Sequence, residues 1–475
     1  MSSAVGGADA HARPGDLMGH PRGLAYLVGI EGFWAFAFFG FQGLLTLYMT
    51  RHVLMPGHVE QVIGFPLYRQ LLQGGGPALA PVDIASQTYG FMSSLSYALP
   101  LLGAVVADRW LGTRRTLLLG LCIMVAAMAI MVTEAGFLIG LGLIILGNGL
   151  LKCNLIVSIS RLYGADDPRR TSAFAIFLIF ANIGAFTWPL IAGTLAEKVS
   201  FPAGISALAI GMALALVTYL AGRAHMPPGA VAPKTARGAA PELSGAGRPA
   251  GQLRIALILM AAMIPGVLFF GAYQQSFNIF PVWASDHINR QVFGFEVPVT
   301  WFSTLDGLLT IAGAMLTIRL WGRQIARGRP MGDMRRMAVG AAMGVAGFGF
   351  LAAAAIIGGH APIALAVGYF VLVDPAITWI DTVTLALVSR TAPAAINSTM
   401  VGVYTMSMAA AYYITGQMGR LYVHLTPAAF WATHIAICAA ALLFLALAGP
   451  AIARGLARRP ADIPAPDGDA SPAQA

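Results

Sequence analysis

Residues 31–49 read EGFWAFAFFGFQGLLTLYM, an apolar run with one carboxylate, Glu31, at its start. About 20 apolar residues in a helix cross the hydrocarbon of a bilayer. Placing a carboxylate inside such a helix costs roughly 3 kcal/mol by insertion scales, so intramembrane acids mark ion or substrate paths. Glu31 is therefore the first residue to follow. The run is one of many. The 475 residues are 57% hydrophobic and 10% charged, with 55 Gly and a mean hydropathy of +0.73. Soluble domains carry about 25% charged residues, so most of this chain belongs in lipid.

Twelve spans are expected, near 24–50, 86–106, 114–132, 137–160, 172–195, 203–222, 254–283, 300–321, 335–357, 361–388, 398–422 and 428–448. With both termini cytoplasmic, 23 of the 29 Lys and Arg fall on the cytoplasmic side, and Arg51, Arg69, Lys198, Arg290 and Arg420 fall outside. This asymmetry is the positive-inside rule. The net charge of +9 thus reports topology, and no nucleic-acid partner is expected. Residues 223–253 are rich in Pro, Ala, Gly and Arg and read as a cytoplasmic linker between six-helix bundles at 24–222 and 254–448. Residues 1–23 and 449–475 read as cytoplasmic tails. Cys122, Cys153 and Cys438 have no paired spacing and read as small buried residues; no metal site is expected. No G-x-x-x-x-G-K-[ST] loop is present, which argues against an ATP-driven pump.

Between the second and third spans lies Gly103-Ala-Val-Val-Ala-Asp108-Arg109-Trp-Leu-Gly112-Thr-Arg114-Arg115-Thr116. This loop resembles the cytoplasmic signature of the major facilitator superfamily, which implies an all-α fold of two six-helix halves with Asp108, Arg109, Gly112, Arg114 and Arg115 as a conformational loop. Gly147-Asn-Gly-Leu-Leu-Lys152-Cys-Asn154, the segment from Asp167 to Phe177 with Asn182 after it, Tyr273-Gln274-Gln275, Trp301-Phe302 and Ala392-Pro393 follow in order. Together they resemble the proton-dependent oligopeptide transporters. The opening stretch is similar to that family's E-x-x-E-R-F-x-Y-Y-G, but Trp34 and Ala35 replace its second Glu and its Arg. Gln42, Gln274 and Ile377 also stand where the family carries charge.

The resemblance implies a secondary transporter rather than an enzyme, moving a small solute by alternating access. No cofactor is expected, the proton gradient being the driving force. The location implied is the cell inner membrane, with lipid, protons and substrate as partners and a monomer as the expected state. Uptake of small peptides or peptide-like solutes is the first expectation; a non-peptide solute, a proton antiporter and a non-transporting sensor remain open. Glu31, Lys152 and Asp306 are the proton-coupling candidates, with Glu31 paired to Lys152 either as a proton carrier or as a structural ion pair. Gln42, Lys152, Asn154, Asn182, Tyr273, Gln274, Gln275, Trp301 and Asp381 are the substrate candidates. Asp374 and Asp381 stand seven residues apart, which places them on one helix face.

Overall fold

The computed structural model describes residues 19–164, 167–227 and 250–457. Six long helices form the first half: α1 (Arg22–Tyr48), α2 (Pro81–Ala98), α3 (Thr113–Ile130), α4 (Phe137–Ser160), α5 (Arg169–Trp188) and α6 (Phe201–Gly222). Six form the second: α7 (Ala250–Tyr273), α8 (Trp301–Ala326), α9 (Asp333–Ile357), α10 (Ile363–Ile377), α11 (Asn397–Gly419) and α12 (Pro427–Ala457). Among the described residues eleven of these are long and apolar enough to cross a membrane. The remaining one, α11, carries Asn397, Ser398, Thr399, Thr405, Ser407, Thr415 and Gln417 and is packed between neighbours.

Each half builds its own core. In the first, α1 packs on α5 and α6, and α3 on α4; in the second, α9 packs on α10 and α12, and α7 on α11 and α12. The halves meet through α2 against α11 and α5 against α8. Exchanging helix n with helix n+6 turns one of these contacts into the other, as expected of two related repeats.

Several boundaries differ from the sequence reading. The span read as 254–283 is broken: α7 stops at Tyr273, a tight turn covers Gln274–Ser276, and a second helix runs Ile279–His287. Buried Gln275, Asn278 and Thr415 bond across this break, which is how irregular backbone survives at membrane depth. α12 continues to Ala457, so its half extends beyond 448, with Arg454 closing its last turn onto the Pro450 carbonyl. A short helix, Phe65–Gln73, interrupts the loop after α1. Cys122 is exposed and Cys153 half-buried; only Cys438 is buried as expected. Most of the linker (228–249) and both ends (1–18 and 458–475) lie outside the described residues.

Candidate transport site

A cavity of about 780 Å³ lies between the halves, walled by Phe39, Gln42, Tyr97, Phe186, Phe270 and Tyr412 among others. Asn182, Tyr273, Gln274, Asp306 and Ile377 also line it. Five positions read from the sequence as substrate or proton contacts (Gln42, Asn182, Tyr273, Gln274 and Asp306) are thus brought to one space. Gln42 is buried and donates to Ser93 Oγ at 2.8 Å. Gln274 is clamped in both directions: its Oε1 accepts from Tyr89 OH at 3.1 Å and its Nε2 donates to Tyr412 OH at 3.0 Å. Asn182 is exposed on the wall and donates to the Leu178 carbonyl.

Two buried acidic centres flank this space. Tyr273 OH donates to Asp306 Oδ1 at 2.6 Å. Asp374, fully buried on α10, neighbours Asp306, and neither of its carboxylate oxygens has a hydrogen-bond partner. On the other side, Lys152 Nζ donates to Glu31 Oε1 at 2.6 Å, while Glu31 Oε2 is buried without a partner. The pair does not line the cavity. Lys152 Nζ sits 3.7 Å above the Trp34 ring, whose edge meets the cavity residue Phe39. An aromatic face under an ammonium contributes about 0.5–2 kcal/mol, so Trp34 partly replaces a lost carboxylate by cation–π attraction. Trp34 Nε1 is fixed to Asn148 Oδ1 at 3.1 Å. Ala35 is packed against Gly184, where an arginine has no room.

The remaining candidates lie elsewhere. Asn154 donates to the carbonyls of Gly103 and Leu150, pinning α4 to the short helix Pro100–Val106 that follows α2. Gln275 bonds to the Thr415 carbonyl inside the second half. Trp301 donates to Thr194 Oγ1 at 2.8 Å where α8 meets the end of α5. Asp374 and Asp381 do not act as one face: a wide π turn, Thr378–Thr382, follows Pro375 and shifts the register. Asp381 instead accepts from Tyr404 OH and interacts with Tyr97 of the opposite half.

The hydrogen bonds and ion pairs that join the halves cluster at the end carrying the 51–80 and 288–299 loops. Thr46 bonds Asn278, Ser86 bonds Asn278 and the Gly416 carbonyl, and Arg51 pairs with Asp286. Glu197 accepts from the Val299 and Thr300 backbone amides at 2.8 Å and from Thr300 Oγ1 at 2.7 Å, placing an anion at the start of α8. Gly90 and Gly416 touch backbone to backbone there; a Cβ on either would stand 2.7 Å from the other's Cα. Leu178, Ile179, Ile183, Leu308 and Ile311 on the cavity wall are exposed. This state is closed at the loop end.

Removing Glu197 leaves buried amides without an acceptor, each costing about 1–3 kcal/mol. Glu197→Ala is expected to raise labelling, from the loop side of sealed vesicles, of a thiol placed by Ser303→Cys on the cavity wall. Unchanged labelling would show that Glu197 does not hold this end shut. Lys198, by hydrogen bond, and Arg290, by charge, hold the exposed Glu296 carboxyl below its ordinary 4.5. A depressed carboxyl stabilises above its unfolded value and loses that contribution as pH falls through its folded one. The stability difference between wild type and Glu296→Gln should therefore shrink as pH falls below 4.5 and vanish once pH is below the folded value.

In the conformational loop, Ala107–Leu111 forms a π turn and Gly112 follows with φ +75°, a conformation that favours glycine. Arg114 donates to the Arg223 carbonyl, tying the loop to the end of α6, and Tyr219 OH donates to the Arg114 carbonyl at 2.9 Å. Asp108, Arg109 and Arg115 are exposed.

Fold and site define a membrane transporter built from two related halves around a central cavity. Residues 113–235 and 248–433 match PTR2, the POT family, and the chain belongs to that family. It is 26% identical over 462 residues to the uncharacterized transporter YclF of Bacillus subtilis, covering 86% of this chain and 89% of that one. It is 31% identical over 291 residues to the di-/tripeptide transporter of Lactococcus lactis subsp. cremoris, a match spanning 60% of this chain and 52% of the relative. A crystal structure of the peptide transporter POT in complex with sulfate superposes with a TM-score of 0.79 at 23% identity, covering 94% of this chain and 98% of that one, which establishes the fold.

Proposed function

We propose that the chain imports small peptides or peptide-like solutes together with protons, by alternating access across the cell inner membrane, with both termini cytoplasmic. It acts as a monomer and needs no cofactor, the proton gradient supplying the drive. The observation that carries the coupling is the acidic pair on the cavity wall. Asp306 faces the cavity, and Asp374 stands directly behind it. Two carboxyls in one apolar site cannot both keep their charge cheaply, so they share a proton. A substrate ammonium reaching Asp306 would compete with that proton, linking occupancy to protonation. Gln42 and Gln274 offer neutral donors for the substrate's carboxylate and amide groups. The cavity accommodates a di- or tripeptide, and the Lactococcus relative supports that substrate class.

The test is dialanine uptake by the purified protein in proteoliposomes with an inward proton gradient. Accumulation that collapses when a protonophore is added is the expected result. Failure of every di- and tripeptide tried to compete with a solute that is taken up would overturn the substrate assignment. Asp374→Asn, which keeps the shape and removes one carboxyl, is expected to cut gradient-driven uptake by at least about 10-fold while leaving binding largely intact.

A further inference from the structure

A second polar cluster lies at the loop end, away from the cavity. His52 Nε2 stands 2.9 Å and His58 Nδ1 3.1 Å from the same oxygen, Glu134 Oε1. The three possible ligand atoms all lie within 4.8 Å of one another. We propose that His52, His58 and Glu134 form a binding site for a divalent transition metal of the Zn²⁺ class.

The donor set suits such an ion. Two imidazole nitrogens and one carboxylate oxygen are a recurrent three-ligand zinc set that leaves a fourth position open. At metal–ligand distances of about 2.0–2.2 Å, tetrahedral ligand atoms stand about 3.3 Å apart, so small side-chain rotations admit the ion between these three. The side chains of His52, His58 and Glu134 are 18%, 39% and 21% exposed, which gives the ion a path and the fourth position to water.

The backbone holds the ligands in place before any ion arrives. His52 belongs to the π turn Met49–Val53 that ends α1, and its ring stacks on Tyr48 at 5.5 Å. His58 donates its backbone N–H to the Met55 carbonyl, and its ring centre lies 4.3 Å from that of His52. Glu134 opens the tight turn Glu134–Gly136 before α4, and the Ile63 amide donates to Ala135 O, tying the two segments together. His52 also adjoins Arg51, which bridges to Asp286 of the other half. The ion would stiffen the turn that carries this bridge.

The experiment uses the full-length, tag-free protein in detergent, stripped with a chelator and titrated with Zn²⁺ by calorimetry and with Co²⁺ by visible absorption. One saturable site with the intense bands of low-coordinate Co²⁺ is expected. His58→Ala, in an exposed loop where refolding is not at stake, and His52→Ala should each weaken binding by roughly 100-fold or more, since loss of outer-shell partners alone costs 10–100-fold. Glu134→Gln, which keeps the shape, should weaken it and change the Co²⁺ spectrum. No saturable binding by the wild type would mean that Glu134 merely bridges two histidines, and would overturn the assignment. Unchanged affinity in His58→Ala and Glu134→Gln would overturn it equally, by placing the metal on other groups.

Discussion

Glu31→Gln is expected to reduce gradient-driven dialanine accumulation to the level seen with a protonophore, while counterflow exchange continues within a few-fold of wild type. The exchange reaction needs the cavity and its two alternating openings but no net proton movement. Glu31 is buried, bonded through one oxygen to Lys152 and unpartnered at the other, so its proton and the Lys152 contact compete for the same group. Lys152→Met should act differently. It leaves the carboxylate buried without its cation, and breaking such a pair costs about 3–5 kcal/mol, the lower figure being apt because Lys152 is a quarter exposed. The double variant Glu31→Gln/Lys152→Met should recover most of that stability without recovering driven uptake. Wild-type accumulation by Glu31→Gln would remove Glu31 from the coupling. Failure of the double variant to regain thermal stability would mean the pair is not the source of the loss.

The second large effect is steric. Gly416→Val places a branched side chain where a single Cβ already meets Gly90 Cα at 2.7 Å and the Ser86 carbonyl at 2.8 Å. Backbone lies on both sides, so no rotamer relieves the clash. Overpacking of this kind costs about 1–3 kcal/mol, which shifts a two-state equilibrium by roughly 5- to 150-fold away from the state closed at the loop end. In a background without Cys122, Cys153 and Cys438, an Ile183→Cys thiol on the cavity wall should become less reactive from the side of the termini, by up to about 5-fold for a cost of about 1 kcal/mol and by more for a larger one. Gly416→Ala should move in the same direction by less. Equal reactivity in all three proteins would show that the α2–α11 contact does not close this end.

Much of this was legible in the sequence. Hydropathy and charge placement are enough for twelve spans in two halves, because a bilayer leaves so few backbone solutions. The Glu31–Lys152 contact was foreseeable because an intramembrane lysine needs an acid, and the resemblance singles out Glu31 among the intramembrane acids as what is left of a charged cluster. The Asp374–Asp381 expectation failed for a local reason. A seven-residue spacing assumes a regular helix, and the π turn after Pro375 removes that regularity, sending Asp374 toward Asp306 and Asp381 toward Tyr404. Hydropathy likewise could not reveal the break at Gln274, since the residues on both sides are equally apolar. Asn154 matched a pattern yet serves to fasten helices. The approach of Gly90 to Gly416 and the meeting of His52 with Glu134 join positions far apart in the chain, and no spacing rule reaches them.

During biosynthesis α11 poses a problem that its eleven companions do not. With seven Ser, Thr, Asn and Gln side chains it partitions poorly into lipid on its own, and Thr415 finds its acceptors on Gly271 of α7 and its own helix. It also leans on α2, made some three hundred residues earlier in the chain. Entry of α11 into the bilayer is therefore expected to wait until the first half is already folded beside the insertion machinery. A second half expressed alone should leave this helix outside the hydrocarbon, where a glycosylation or protease tag at Arg420 would find it on the wrong side.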